Sequence, residues 1–99
     1  MHIISRKRLR EFSEKNPDAK QELDAWFKIA NKAEWRSIVD LKRTYRHADP
    51  VGTCTVFNIR RNRFRLIVKI EYRIQRIYIK HVLTHAEYDR GEWKKDCGS

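Results

Sequence analysis

His85 and Tyr88 stand three residues apart where an alternating, strand-like run gives way to a helix start, in Tyr78-Ile-Lys-His-Val-Leu-Thr-His-Ala-Glu-Tyr-Asp-Arg-Gly-Glu-Trp93. A histidine exchanges a proton near neutral pH, and a tyrosine, with an ordinary pKa near about 10, is the better acid or positioning donor. Breaking an RNA phosphodiester without a metal needs three groups. One takes the 2′-hydroxyl proton, one holds charge on the phosphate and one protonates the leaving 5′-oxygen. His85, Tyr88 and a nearby cation can supply them, and Arg65, in the middle of a basic strand, is the cation expected to stabilise the phosphate. A His and a Tyr at a strand end also occur as plain capping and packing groups, and the residues alone leave that alternative open.

The elements around this junction follow from pattern. Thr84 and Glu87 have the spacing of a capping box, which predicts a helix starting at His85 with His85 and Tyr88 on one face. Its free N–H groups would suit a phosphate. Before it, Thr53 to Ile59 reads as a strand, Arg60-Arg61-Asn62 as a turn in which Asn62 tolerates positive φ, and Arg63 to Arg73 as a strand. That second strand alternates Phe64, Leu66, Val68, Ile70 and Tyr72 with Arg63, Arg65, Lys69, Glu71 and Arg73. Ile74-Gln75 forms a hairpin turn, and Arg76 to Leu83 sends Ile77, Ile79, His81 and Leu83 one way and Arg76, Tyr78, Lys80 and Val82 the other. Arg63, Arg65, Lys69, Arg73, Arg76 and Lys80 would then share a basic face able to grip phosphates, with Tyr78 among them to stack on a base or simply cover the sheet.

The first half is helical. Met1 to Ile4 can add a strand, Ser5 can cap a surface helix over Arg6 to Lys15, and Asn16-Pro17-Asp18 starts a second helix. That helix buries Leu23, Trp26, Phe27, Ala30 and Ala33, and Ile38, Leu41 and Tyr45 continue at helical spacing. Arg46 to Gly52 reads as a loop. The expected fold is α+β, with N-terminal helices packed on one face of a small antiparallel sheet.

At 12.1 kDa the chain suits one domain, taken as residues 1–97, with Gly98-Ser99 read as an expression scar. Lysine and arginine number 23 against 13 acids, a net charge of +10, so polyanions or an acidic protein are the natural partners. Absence of a long apolar run or a signal core points to a cytoplasmic protein without a membrane partner. Cys54 and Cys97 are too few for a disulfide framework, so reduced thiols are expected. No metal or cofactor is expected: His81 and His85 would pair on a metal only if both lay on one helix, and His2 and His47 have no suggestive sequence neighbours.

Met1-His-Ile-Ile-Ser-Arg-Lys7, Trp26-Phe-Lys-Ile-Ala30, Ala33-Glu-Trp35, Val56-Phe-Asn-Ile59, Arg65-Leu-Ile67 and, most specifically, Tyr78 to Asp89 together resemble the HigB family of toxins from bacterial toxin–antitoxin pairs, a branch of the RelE-like mRNA endonucleases. The resemblance covers nearly the whole chain. It implies a RelE-like fold, metal-independent cleavage of mRNA on the translating ribosome, neutralisation by a HigA-like antitoxin with a helix-turn-helix domain, and operator DNA contacted only through that complex. It also implies catalytic roles for His85, Tyr88 and Arg65, leaving open which residue is base and which acid. Arg60-Arg61 departs from the pattern, since relatives commonly carry two glycines before Asn62, and adds two cations near the RNA. A non-catalytic basic RNA- or ribosome-binding module and a purely structural interaction subunit are the rival readings. Loss of cleavage with retained RNA binding on replacing His85 or Tyr88 separates the first, and absence of growth arrest the second.

Overall fold

The computed structural model describes residues 1–98, so the scar reading falls, at Ser99, outside the described residues. The chain runs β1 (His2–Ile4), α1 (Lys7–Lys15), α2 (Lys20–Lys32), α3 (Ile38–Thr44), β2 (Asp49–Val51), β3 (Cys54–Ile59), β4 (Phe64–Glu71), β5 (Arg76–Thr84) and α4 (His85–Arg90). The five strands form one sheet in the order β1-β5-β4-β3-β2. It is mixed rather than purely antiparallel, because β1 pairs with β5 in parallel. The β2–β5 meander alternates direction through short turns, whereas β1 is followed by α1, which crosses the helical side of the sheet with Arg8 donating to the Lys80 carbonyl.

Helices α1 to α3 cover one sheet face. The large aromatics lie where their spacing places them: Trp26 is buried edge-on against Phe57, centroids 5.5 Å apart, while Phe27 and Ala33 are partly buried. Two expected caps differ. α1 starts without a side-chain cap from Ser5, and the Asn16 amide donates back to the Phe12 carbonyl, closing α1, so Pro17–Ala19 makes a tight turn before α2. α3 is capped by Ser37, whose hydroxyl accepts from the Asp40 amide. The N-terminal ammonium donates to the carbonyls of Ala30, Asn31 and Ala33, satisfying the open end of α2. The stretch read as a loop contains β2, a three-residue edge strand where Pro50 costs no ladder bond. In the β3–β4 turn the left-handed residues are Arg60 (φ 51°) and Arg61 (φ 60°), not Asn62.

A β-bulge shapes the second face. Ile67 pairs with His81 and Val68 with Ile79, leaving Lys80 as the extra residue in β5. Side-chain alternation inverts past it. Ile77 and Ile79 point to the helices, but so does Val82, while His81 and Leu83 join Ile67 and Arg65 on the other face. That face has its own core: Cys54, Val56 and Ile67 are covered by Trp93 and Cys97 from the segment after α4. Cys54 and Cys97 form a disulfide across 43 positions, correcting the expectation of reduced thiols, because the tail folds back over the first residue of β3. A hydrogen bond from the Thr53 amide to the Cys97 carbonyl, 2.8 Å, holds the same junction.

By the loop-closure argument a crosslink of this span contributes up to about 4 kcal/mol. Replacing Cys54 and Cys97 together by serine should therefore lower the thermal midpoint by roughly 10 °C or more. An unchanged midpoint would show that Trp93 packing alone seats the tail.

Candidate active site

α4 begins as its capping box specifies. The Thr84 hydroxyl accepts from the Glu87 amide at 3.3 Å, and the Glu87 carboxylate accepts from the Thr84 amide at 2.9 Å. The Thr84 backbone hydrogen bond holds the Glu87 carboxyl below its ordinary range; partial burial opposes this, and the Thr84 hydroxyl and Arg90 assist it. Gly91, at φ 74°, ends the helix in the left-handed conformation that glycine adopts without penalty. At this helix start the His85 amide donates to the Arg63 carbonyl at 2.9 Å and the Glu87 amide to the Thr84 hydroxyl, so two of the donors expected to suit a phosphate are spent inside the fold.

Tyr88 lies on Trp93, centroids 5.0 Å apart and planes 14° from parallel, and the Trp93 indole N–H donates to the Tyr88 carbonyl. The Arg65 guanidinium sits 4.8 Å from the Tyr88 ring centroid and donates to the Phe64 carbonyl and the Asn62 amide oxygen. Arg65 and Tyr88 share a groove of about 400 Å³ with Asn58, the cross-strand partner of Arg65, and with Lys42, Arg46 and His47 from the end of α3 and its following turn. His47 thus has neighbours that its sequence position hides. No local signal could have found it, since the groove forms only once α3, β3 and α4 are assembled.

His85 stands one turn from Tyr88 but opens on a different groove, of about 1000 Å³, with Arg60, Arg61, Arg63, Asp18 and Glu22. Its Nδ1 lies 2.9 Å from the Asp89 carboxylate. The expected shared face is therefore split between two grooves flanking α4. On the helical side nearby, burial and then the charge of Glu22 push the half-buried Tyr45 phenol up to about 12, which keeps it protonated and unable to act as a base.

The single basic patch expected from two strands is also divided. Arg63 turns to Asp18, 2.9 Å away, and to the ring of Phe64. Lys69 and Tyr78 are cross-strand partners about 13 Å along the strand from Arg65, beyond the buried Ile67. Arg76 lies opposite Glu71 at the far end, Arg73 sits in the β4–β5 turn and Lys80 occupies the bulge. Lys69 also pairs with Glu71 at 3.7 Å, an exposed contact of small worth. His81, expected on the strand face of Ile77 and Ile79, is placed by the bulge on the second face, with Nε2 2.6 Å from Asp96. His81 and His85 thus answer to different carboxylates.

Residues 19–91 match the family described as HigB_toxin, RelE-like toxic component of a toxin-antitoxin system. The mRNA interferase toxin HigB of Escherichia coli is 33% identical over 92 residues, 90% of this chain and 88% of that protein. The mRNA interferase HigB of Shigella flexneri has the same identity and coverage, and one from another Escherichia coli strain is 25% identical over 91% of this chain and 90% of its own length.

Two outcomes follow for the loops that frame these grooves. Because the folded Glu87 carboxyl titrates below its unfolded value, its stabilisation is complete above about pH 4.3 and is lost as pH falls through the folded value. Urea unfolding of Glu87→Gln should show a deficit of about 0.5–1 kcal/mol at pH 7 that is smaller at an acid pH below the ordinary carboxylate range. An equal deficit at both values would deny the cap's charge a role. Arg60→Gly and Arg61→Gly relieve left-handed backbone that costs a side chain roughly 1–2 kcal/mol, so each should raise the urea midpoint while weakening RNA binding.

Proposed function

The chain belongs to the HigB family of RelE-like toxins, and on that ground we propose that it is a metal-independent endoribonuclease that cuts mRNA on the ribosome and so inhibits translation. One observation carries the site assignment: a fixed guanidinium, Arg65, and a fixed phenol, Tyr88, converge on one groove of a protein with net charge +10. In this reading Arg65 holds the charge that builds on the phosphate as the 2′-oxygen attacks, and Tyr88 gives its proton to the departing 5′-oxygen. His85, braced by Asp89, meets the RNA from the neighbouring groove, where Arg60, Arg61 and Arg63 bind adjacent phosphates. Lys69, Arg73, Arg76, Lys80 and Tyr78 lie farther along the sheet and serve the longer polyanion, messenger or ribosomal RNA.

The same reading assigns residues 1–97 to a single toxin domain working in the cytoplasm, where ribosomes are. It is held inactive by a HigA-like helix-turn-helix antitoxin, and operator DNA is reached only through that complex. The names of the Escherichia coli and Shigella relatives, mRNA interferases, support the substrate class.

Expression without an antitoxin should arrest growth and create new mRNA 5′ ends in translated frames. Tyr88→Phe keeps the ring on Trp93 and removes the acid, so cleavage should fall on the order of 10²–10³-fold with RNA affinity within a few-fold. Lys69→Ala and Arg76→Ala should instead weaken binding across sequences and each reduce the salt slope by about 0.7–0.9. Unchanged growth with no new 5′ ends would exclude a toxin, and growth arrest without cleavage would favour the non-catalytic RNA- or ribosome-binding module.

A further inference from the structure

We propose that His47 is the base of the Arg65–Tyr88 groove, the residue that takes the 2′-hydroxyl proton during cleavage; this rests on the mRNA-cutting reading above. The groove already holds a cation for the phosphate and a phenol to act as acid, and the reaction still needs a proton acceptor. Three histidines lie near α4 and the groove. His85 is bound to Asp89 at 2.9 Å and opens on the other groove, and His81 is bound to Asp96 at 2.6 Å. Among the described residues, the His47 ring is in no hydrogen bond or ion pair, and it lines the groove with Arg65 and Tyr88.

The turn that carries His47 is fixed on both sides. Before it, Tyr45 packs edge-on against Trp35 and Phe57, centroids 6.1 and 5.2 Å apart. After it, Ala48 is 2% exposed and its amide donates to the Tyr45 carbonyl at 3.1 Å, while Asp49 pairs with Val56 across β2 and β3. An exposed imidazole on a clamped turn is positioned without being consumed by the fold. The groups facing it are Lys42 from α3, Arg46 from its own turn, Asp49 from β2, Arg65 from β4 and Tyr88 from α4.

The step balances without a further reactant. The 2′-oxygen loses its proton to the neutral His47 imidazole and bonds to phosphorus, the P–O5′ bond breaks, and the 5′-oxygen takes the Tyr88 proton. The products are a 2′,3′-cyclic phosphate and a 5′-hydroxyl. Solvent then returns the proton from His47 to Tyr88.

The test is single-turnover cleavage of a translated message by the intact protein as a function of pH, for wild type, His47→Ala, His47→Gln and His85→Ala. His47→Ala and His47→Gln should cut on the order of 10²–10⁴-fold more slowly, with affinity for a 2′-O-methyl RNA of the same sequence within a few-fold. Wild type should gain rate with rising pH through a single ionisation. That ionisation should vanish in both His47 variants and persist in His85→Ala, whatever its rate. Wild-type cutting with equally active His47 variants, or with the ionisation retained in them, overturns the assignment alone. A wild-type protein that cuts no message overturns the function and this assignment together.

Discussion

The stack of Tyr88 on Trp93 is the contact that ties α4 to the second core of the sheet. A stacked aromatic pair is worth about 0.5–1.5 kcal/mol beyond the area it buries, and here the indole N–H also binds the Tyr88 carbonyl, so ring and backbone of one residue are held by the same partner. Trp93 is 3% exposed, set on Val56 and Ile67 beside the Cys54–Cys97 disulfide. Without that second core, α4 is six residues long and too short to persist by its own hydrogen bonds. The phenol facing Arg65 is therefore fixed by packing on the sheet face away from the main helices.

The second core depends in turn on one extra residue. Had β5 continued its alternation through Lys80, His81 and Leu83 would face the helices and Val82 the tail. An imidazole would then enter the apolar core, and Leu83 would be lost from beneath the tail, both unfavourable. The bulge lets one strand serve two cores, and it delivers the chain to Thr84 oriented for α4 to lie across β4. The same inversion divides the cations. Arg65 remains beside α4, whereas Lys69 and Arg76 are left on open sheet beyond Ile67. A strongly basic protein thus presents a narrow groove that holds Arg65 and Tyr88 and a separate set of cations along the open sheet.

Much of this was legible before any coordinates. The helices of the first half, the meander and the Thr84–Glu87 cap follow from local periodicity and capping chemistry, which act over a few residues, and the His85–Tyr88 junction and Arg65 stand out by type. What was hidden is set at long range. Lys80 carries no mark of a bulge, because the inversion is decided by pairing with β4. The pairing of Cys54 with Cys97 depends on a tail returning across the sheet, and the neighbours of His47 come from three distant elements. Arg60 and Arg61 broke the expectation for a different reason: the turn's geometry is imposed by the β3–β4 register, and the side chains bear the strain.

Under the proposed function, RNA engages the groove between Arg65 and Tyr88 rather than the open sheet. Titrating the ¹⁵N-labelled protein with a short 2′-O-methyl RNA, which binds without being cut, and following the arginine side-chain and backbone resonances tests it most directly. The largest and earliest shifts should fall at Arg65, Asn58 and Tyr88, with Lys69, Tyr78 and Arg76 responding weakly and losing their response as salt rises. Shifts confined to Lys69, Tyr78 and Arg76, with Arg65 and Tyr88 unmoved at saturation, would contradict it.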